Sequence, residues 1–163
     1  MGYPLFDLKR MHLSIADYIC KVQTAMKIHF RESYGIEAVE SDNTGVFTSP
    51  TSKIASIGVQ VRHRLTNHGF AYNVTREPLK WFDQVVACGL EDVKAGCIAD
   101  AVGRDVSMTE DLESFLPVFE RTFGREVVRM DLEQDSLAGE LIRELEVEGG
   151  KCDFICWFVD AKK

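Results

Sequence analysis

The chain has 163 residues, 45% of them apolar and 28% charged, an ordinary soluble balance with enough length for one domain with a real core. A net charge of −7 argues against nucleic acid or an anionic membrane as the main partner, because either would call for a basic face. No apolar run is long enough to span a bilayer. The first residues carry neither a secretory apolar leader nor an Arg-rich amphipathic start, and the five irregularly spaced cysteines fit free thiols in a reducing compartment.

In chain order, Gly2 to Leu8 reads as an extended apolar strand with Pro4 near its start. Ser14 opens a helix, with Asp17 placed for a near capping box. Ile15, Ile19, Val22, Met26 and Phe30 form its apolar stripe, and Gly35 is its stop. Glu37 to Glu40 and Gly45 to Thr48 read as strands around the turn-rich Ser-Asp-Asn-Thr. Ser49-Pro-Thr-Ser52 is a loop that delivers Lys53 to the head of an apolar strand. Val59 to Arg64 alternates apolar with polar, the mark of a half-buried strand. Thr66-Asn67 is assigned to the connection that follows. Phe70, Tyr72 and Val74 share one face of the next strand, with His68 on the same side. Thr75-Arg-Glu-Pro78 breaks the sheet, and Leu79 to Val86 makes one or two helical turns before Cys88.

Further on, Thr109 is the predicted N-cap of a helix, with Glu110 and Asp111 at its positive end. Leu112, Phe115, Leu116, Phe119 and Phe123 form its buried stripe. Pro117 inside that stripe predicts a kink or two shorter helices. Gly124 ends it, and Glu126 to Met130 is a last strand. From Asp131 the composition shifts. Leu137 to Val147 is acidic with a helical pattern, Gly149-Gly150 breaks it, and Cys152 to Val159 is aromatic and apolar. Residues 131–163 are therefore treated as an extension of a domain over 1–130.

The chemistry concentrates between Lys53 and Cys88. An ammonium beside a thiol favours the thiolate, which is the nucleophile. Nothing in the sequence alone brings the two together. A cysteine is ordinarily a small apolar side chain, and a lysine at a strand head is ordinarily solvated. Cys152-x-x-x-Cys156 has no good zinc spacing with the histidines, and no Gly-rich phosphate loop is present. No metal and no nucleotide cofactor are implied.

K-I-A-S-I-G-V from Lys53, H-G-F-A-Y-N-V from His68 and A-C-G-L around Cys88 occur in this order and spacing. Together they resemble the lipoyl(octanoyl) transferases of lipoate biosynthesis, over about Met1 to Met130. V-V-A-C-G-L looks closer to eukaryotic members. The resemblance implies an α+β fold, a mixed sheet flanked by helices, of the biotin/lipoate protein ligase-transferase type. In the family an R-G-G…T-Y-H-G-P-G-Q motif precedes Y-P-x-x-D-L, whereas this sequence begins at Met1. The domain is thus expected to lack its N-terminal strands and to be poorly stable alone.

The same resemblance makes Cys88 the acyl-accepting nucleophile and Lys53 the catalytic acid/base. Side by side, ammonium and thiolate titrate as a unit. Ser56, Ile57 and Gly58, with His68, Gly69, Phe70 and Ala71, line the acyl pocket. An eight-carbon chain buried there is worth several kcal/mol at ~0.8 kcal/mol per CH₂. Cys97 stands where the family more often has Ser or Thr. Asp83 reads as a surface or capping group, and Asn73 as architectural. The implied donor is octanoyl-acyl carrier protein. The acceptors are the lipoyl domains of 2-oxoacid dehydrogenase complexes and the glycine cleavage H protein, in the mitochondrion. Two other readings stay open: a remnant that binds lipoyl domain or carrier protein without turnover, and a cysteine thioesterase using Cys88 with His68 as base.

Overall fold

The computed structural model describes residues 1–82, 84, 92–129, 140, 144 and 157–159. The expectations for Asp83, Cys88, Cys152 and Cys156, and most of that for 137–147, lie outside the described residues. The chain divides into two compact units, Met1–Thr122 and Phe123–Lys163.

Helix α1 runs from Ile15 to Tyr34 and starts as its sequence dictates. The Ser14 hydroxyl accepts from the Asp17 N–H at 3.0 Å, and the Asp17 carboxylate accepts from the Ser14 N–H at 3.1 Å, so two of the orphan donors at the helix start are satisfied reciprocally. Gly35 ends it in the left-handed region, where a residue without Cβ is unstrained. The buried face begins one turn later than the apolar spacing suggests: Tyr18, Val22, Ala25, Met26, His29 and Phe30 are buried, whereas Ile15 is 45% exposed.

Strand β2, Ser52–Arg62, is the centre of the sheet. Strand β1, Val46–Ser49, pairs with it antiparallel on one side. On the other side lie β3, Leu65–Tyr72, antiparallel, and β4, Lys94–Ala95, parallel. The sheet is therefore mixed and flanked by helices, as expected of an α+β fold. The expected strand over 37–40 reduces to a single bridge between Val39 and Phe47. The β2–β3 turn is His63-Arg64, both with positive φ, so Thr66 and Asn67 belong to β3 rather than to the connection.

Residues 2–7 run along the outer edge of β3. Gly2 exchanges backbone hydrogen bonds with Phe70, and Asp7 bridges to Leu65. Between these points Pro4 has no N–H to give, and Thr66 takes over: its hydroxyl donates to the Pro4 carbonyl and accepts from the Phe6 N–H. A Cβ on Gly69 would collide with the Gly2 carbonyl and lie 2.6 Å from Pro4 Cδ, so glycine there admits the edge segment.

Past β3 come the single turn α2, Leu79–Phe82, and the short α3, Ile98–Val102. Helix α4, Met108–Phe123, begins one residue before the predicted cap. Ser107 performs that office, its hydroxyl accepting from the Glu110 N–H at 3.4 Å. Pro117 does not split α4 into two helices. It removes the partner of the Glu113 carbonyl, but both residues lie on the exposed side, where water can replace the bond.

The core of this unit lies where α1 and α4 meet the sheet. Phe6 stacks on Phe119 and meets Tyr18 edge-on, and Phe30, Phe70, Tyr72 and Phe115 form a second ring cluster. In the second unit, β5, Val127–Arg129, pairs antiparallel with β6, Trp157–Val159.

Candidate functional site

Lys53 is the second residue of β2, half-buried, with Phe47 of β1 and Ala95 of β4 as its ladder partners. Its carbonyl accepts from the Gly96 N–H at 2.8 Å. Its ammonium lies 5.5 Å from the centroid of the Phe47 ring. Among the described residues it forms no ion pair.

The residues expected to line an acyl pocket lie on adjacent rungs of the β2–β3 ladder: Ser56 opposite Ala71, Ile57 opposite Phe70, Gly58 opposite Gly69. The pleat divides them into two sets. Ile57 and Phe70 share the core face, where the Phe70 ring packs on Tyr72 and Phe115. Ser56, Gly58 and Ala71 share the other face, with Ser56 and Gly58 exposed. His68 is one rung further, opposite Val59, exposed and with φ of 59°. Counted along β2, that is roughly 20 Å from Lys53 at ~3.3 Å per residue. The described residues thus place Lys53 on the face of Ile57 and Phe70, with Ser56 and Gly58 on the opposite face, and leave His68 toward the far end of the strand pair.

The described residues on either side of Cys88 in the chain are tied to each other and to the head of β2 by hydrogen bonds. The Asn73 N–H donates to the Ile54 carbonyl at 3.2 Å, and its side-chain amide donates to the Gly96 carbonyl at 3.0 Å. The Ile98 N–H donates back to the Asn73 carbonyl, and the Lys94 N–H to the Thr51 carbonyl, each at 2.9 Å. Arg76 clamps the exit of β3 onto Asp100, Asp105 and the Ala99 carbonyl. Cys97 is the N-cap of α3: its sulfur accepts from the Asp100 N–H at 3.4 Å, the office a Ser or Thr hydroxyl fills more strongly. Burial pushes its thiol above the ordinary range.

Asp111, expected only as an acidic residue at the positive end of a helix, is instead the centre of a buried polar cluster. Asp111, buried at the start of α4, accepts from His29 Nε2 of α1 at 2.8 Å, from Tyr34 at 2.8 Å and from Tyr72 of β3 at 2.6 Å. Burial, then the nearby carboxylate, raises both tyrosines well above their usual range. The signal available in the sequence was spacing: His29 follows Val22, Ala25 and Met26 at helical intervals, which puts it on the apolar stripe of α1. Its partner on α4 carried no such signal, since an Asp in a first helical turn is ordinarily solvated.

Two shallow depressions, of about 620 and 660 Å³, are lined by residues of the segment 8–14, α1, the β2–β3 turn and the end of α4, and neither includes Lys53. Among the described residues, no three His, Cys, Asp or Glu side chains gather as metal ligands would.

Residues 1–120 match the family model described as "Lipoyl protein ligase A/B catalytic domain". The chain is 36% identical over 123 residues to a protein of Schizosaccharomyces pombe named "Probable octanoyltransferase", covering 71% of this chain and 55% of that one. It is 33% identical over 129 residues to an octanoyltransferase of Koribacter versatilis, covering 76% and 49%. The chain thus spans about half the length of the curated relatives it matches. Among solved structures, biotin protein ligase from Aquifex aeolicus superposes with a TM-score of 0.57 at 13% identity, over 75% of this chain and 48% of that one, a likeness of fold.

Proposed function

The chain belongs to the lipoyl protein ligase A/B catalytic domain family, and from that premise we propose that it serves octanoyl transfer from octanoyl-acyl carrier protein to a lysine of lipoyl domains. The observation that carries this reading is the set of hydrogen bonds that ties Asn73, Lys94 and Gly96, which flank Cys88 in the chain, to the residues around Lys53. Asn73 and Gly96 donate to the Ile54 and Lys53 carbonyls of β2, and Lys94 donates to the Thr51 carbonyl just before it. By strand alternation Lys53 shares the face of Ile57 and Phe70, so these two apolar side chains are the expected wall residues on the lysine's side of the strand pair, and Ser56 and Gly58 lie on the other.

In this reading the Cys88 thiolate attacks the carbonyl carbon of the octanoyl thioester. The bond from that carbon to the carrier sulfur breaks, and the carrier thiolate takes a proton from the Lys53 ammonium. The octanoyl group is held as a thioester on Cys88. The neutral amine of a target lysine then attacks, its proton passes to the neutral Lys53, and the amide forms as the Cys88 thiolate leaves. The ammonium–thiolate pair is thereby restored. The acceptors are lipoyl domains of 2-oxoacid dehydrogenase complexes and the glycine cleavage H protein. Residence in the mitochondrion belongs to the same proposal and rests on the eukaryotic look of the motifs.

The test is an intact mass after mixing the protein with octanoyl-carrier thioester. An octanoyl adduct absent from Cys88→Ser, and discharged by added lipoyl domain, is the expected result. A folded protein that takes no adduct favours binding without turnover. Fast deacylation of the carrier without transfer favours the thioesterase.

A further inference from the structure

We propose that Gly45 is a positioning residue for Lys53, and that with the Phe47 ring it forms the seat that aims the lysine ammonium. This rests on the reading of Lys53 as the acid/base. Gly45 immediately precedes β1 and has φ of 136°, a conformation that favours glycine. A Cβ built on it would lie 2.5 Å from Lys53 Cε, 3.2 Å from Lys53 Nζ and 2.5 Å from the Ala55 carbonyl oxygen. The end of the lysine side chain therefore occupies the space that any other residue at 45 would fill.

The Phe47 ring completes the seat. Phe47 is 1% exposed, so its ring is held by the core, and the ammonium stands 5.5 Å from its centroid, within the range where a ring attracts a cation. This kind of support suits an acid/base. A carboxylate would hold the ammonium by taking its protons into hydrogen bonds, whereas the ring attracts the charge and leaves those protons for a sulfur or an amine. The backbone of the seat is itself tied down: Gln23 Nε2 of α1 donates to the Gly45 carbonyl at 2.7 Å. Helix α1, the approach to β1 and the head of β2 thus meet at the lysine.

The test uses the full chain carrying [13C]lysine, read by proton–carbon correlation of the Cε groups, with the Lys53 signal assigned by its loss in Lys53→Arg. In the parent protein that signal is expected upfield of the solvated lysines, because a ring face lies nearby. Phe47→Leu, which keeps most of the core volume, should return it to the solvated position. Gly45→Ala should move it as well, because the new Cβ displaces Cε. Both variants should lower the turnover of octanoyl transfer by about tenfold or more while KM for the octanoyl donor stays near the parent value, since the seat orients the proton donor and does not touch the acyl chain.

A Lys53 signal already at the solvated position in the parent overturns the proposal. So does a signal unmoved in a Gly45→Ala protein that melts as cooperatively as the parent. Should Gly45→Ala fail to fold, Phe47→Leu decides alone, and an unmoved signal there overturns it equally. Full transfer by Lys53→Arg would instead overturn the role assigned to Lys53, with the spectra still judging the seat.

Discussion

Gly58 has room for a side chain that it does not carry. A Cβ there meets nothing within 4 Å, and the residue sits mid-strand, where glycine costs about 0.5–1 kcal/mol relative to alanine. Gly58→Ala should therefore stabilise by roughly 0.5 kcal/mol in denaturant melts. If the acyl chain crosses this face, Gly58→Leu should fold normally and raise KM for the octanoyl donor by about tenfold or more, the order of one lost apolar contact set. Unchanged KM would remove Gly58 from the wall. Among the cysteines, Cys20 is exposed and Cys97 is buried with its thiol held protonated by that burial. Brief iodoacetamide treatment at about pH 7.5 should label Cys20 and spare Cys97, as read by peptide mass. Labelling of Cys97 in the folded protein would contradict its place at the cap of α3.

Two elements carry conformational cost or buried polarity that their neighbours must balance. The β2–β3 turn holds His63 at φ of 52° and Arg64 at 69°, where an L-residue with a Cβ is strained by about 1–2 kcal/mol. The double substitution His63→Asn, Arg64→Gly should stabilise by roughly 1 kcal/mol, measured by denaturant unfolding. The second case is the joint of α1, β3 and α4 at Asp111. Asp111→Ala would leave the His29, Tyr34 and Tyr72 donors without their acceptor, at a cost of about 3 kcal/mol or more, whereas Tyr72→Phe removes one bond of three and should cost about 1–2 kcal/mol. Equal effects of the two would mean that water replaces the carboxylate.

At the scale of the molecule the same joint sets a pH limit. Tyr34 and Tyr72 are raised in the folded chain, chiefly by burial and then by Asp111, while an unfolded tyrosine titrates near ~10. The folded state keeps protons that the unfolded state releases, so their contribution is complete below about pH 10 and is lost as the pH rises beyond it. Stability should fall above about pH 10, and less steeply in Tyr72→Phe. A fall of the same slope in both proteins would assign the alkaline limit elsewhere.

What the sequence determined by itself was local or motif-borne. The Ser14–Asp17 box and the Gly35 stop are contacts between residues a few positions apart, so their chemistry is written in one stretch. The K-I-A-S-I-G, H-G-F-A and A-C-G-L motifs carried the family and hence the α+β fold. Tertiary structure decided everything that needed a partner from elsewhere. The edge segment 2–7 is built by Thr66 and Gly69, which lie far along the chain from it. The division of the wall into a core face and an open face depends on which side of β2 meets α1 and α4. Gly45 stands apart from Lys53 in the chain, and only the fold lays the lysine stem across it. Residue type states what a side chain can do, and packing alone decides which neighbour it does it to.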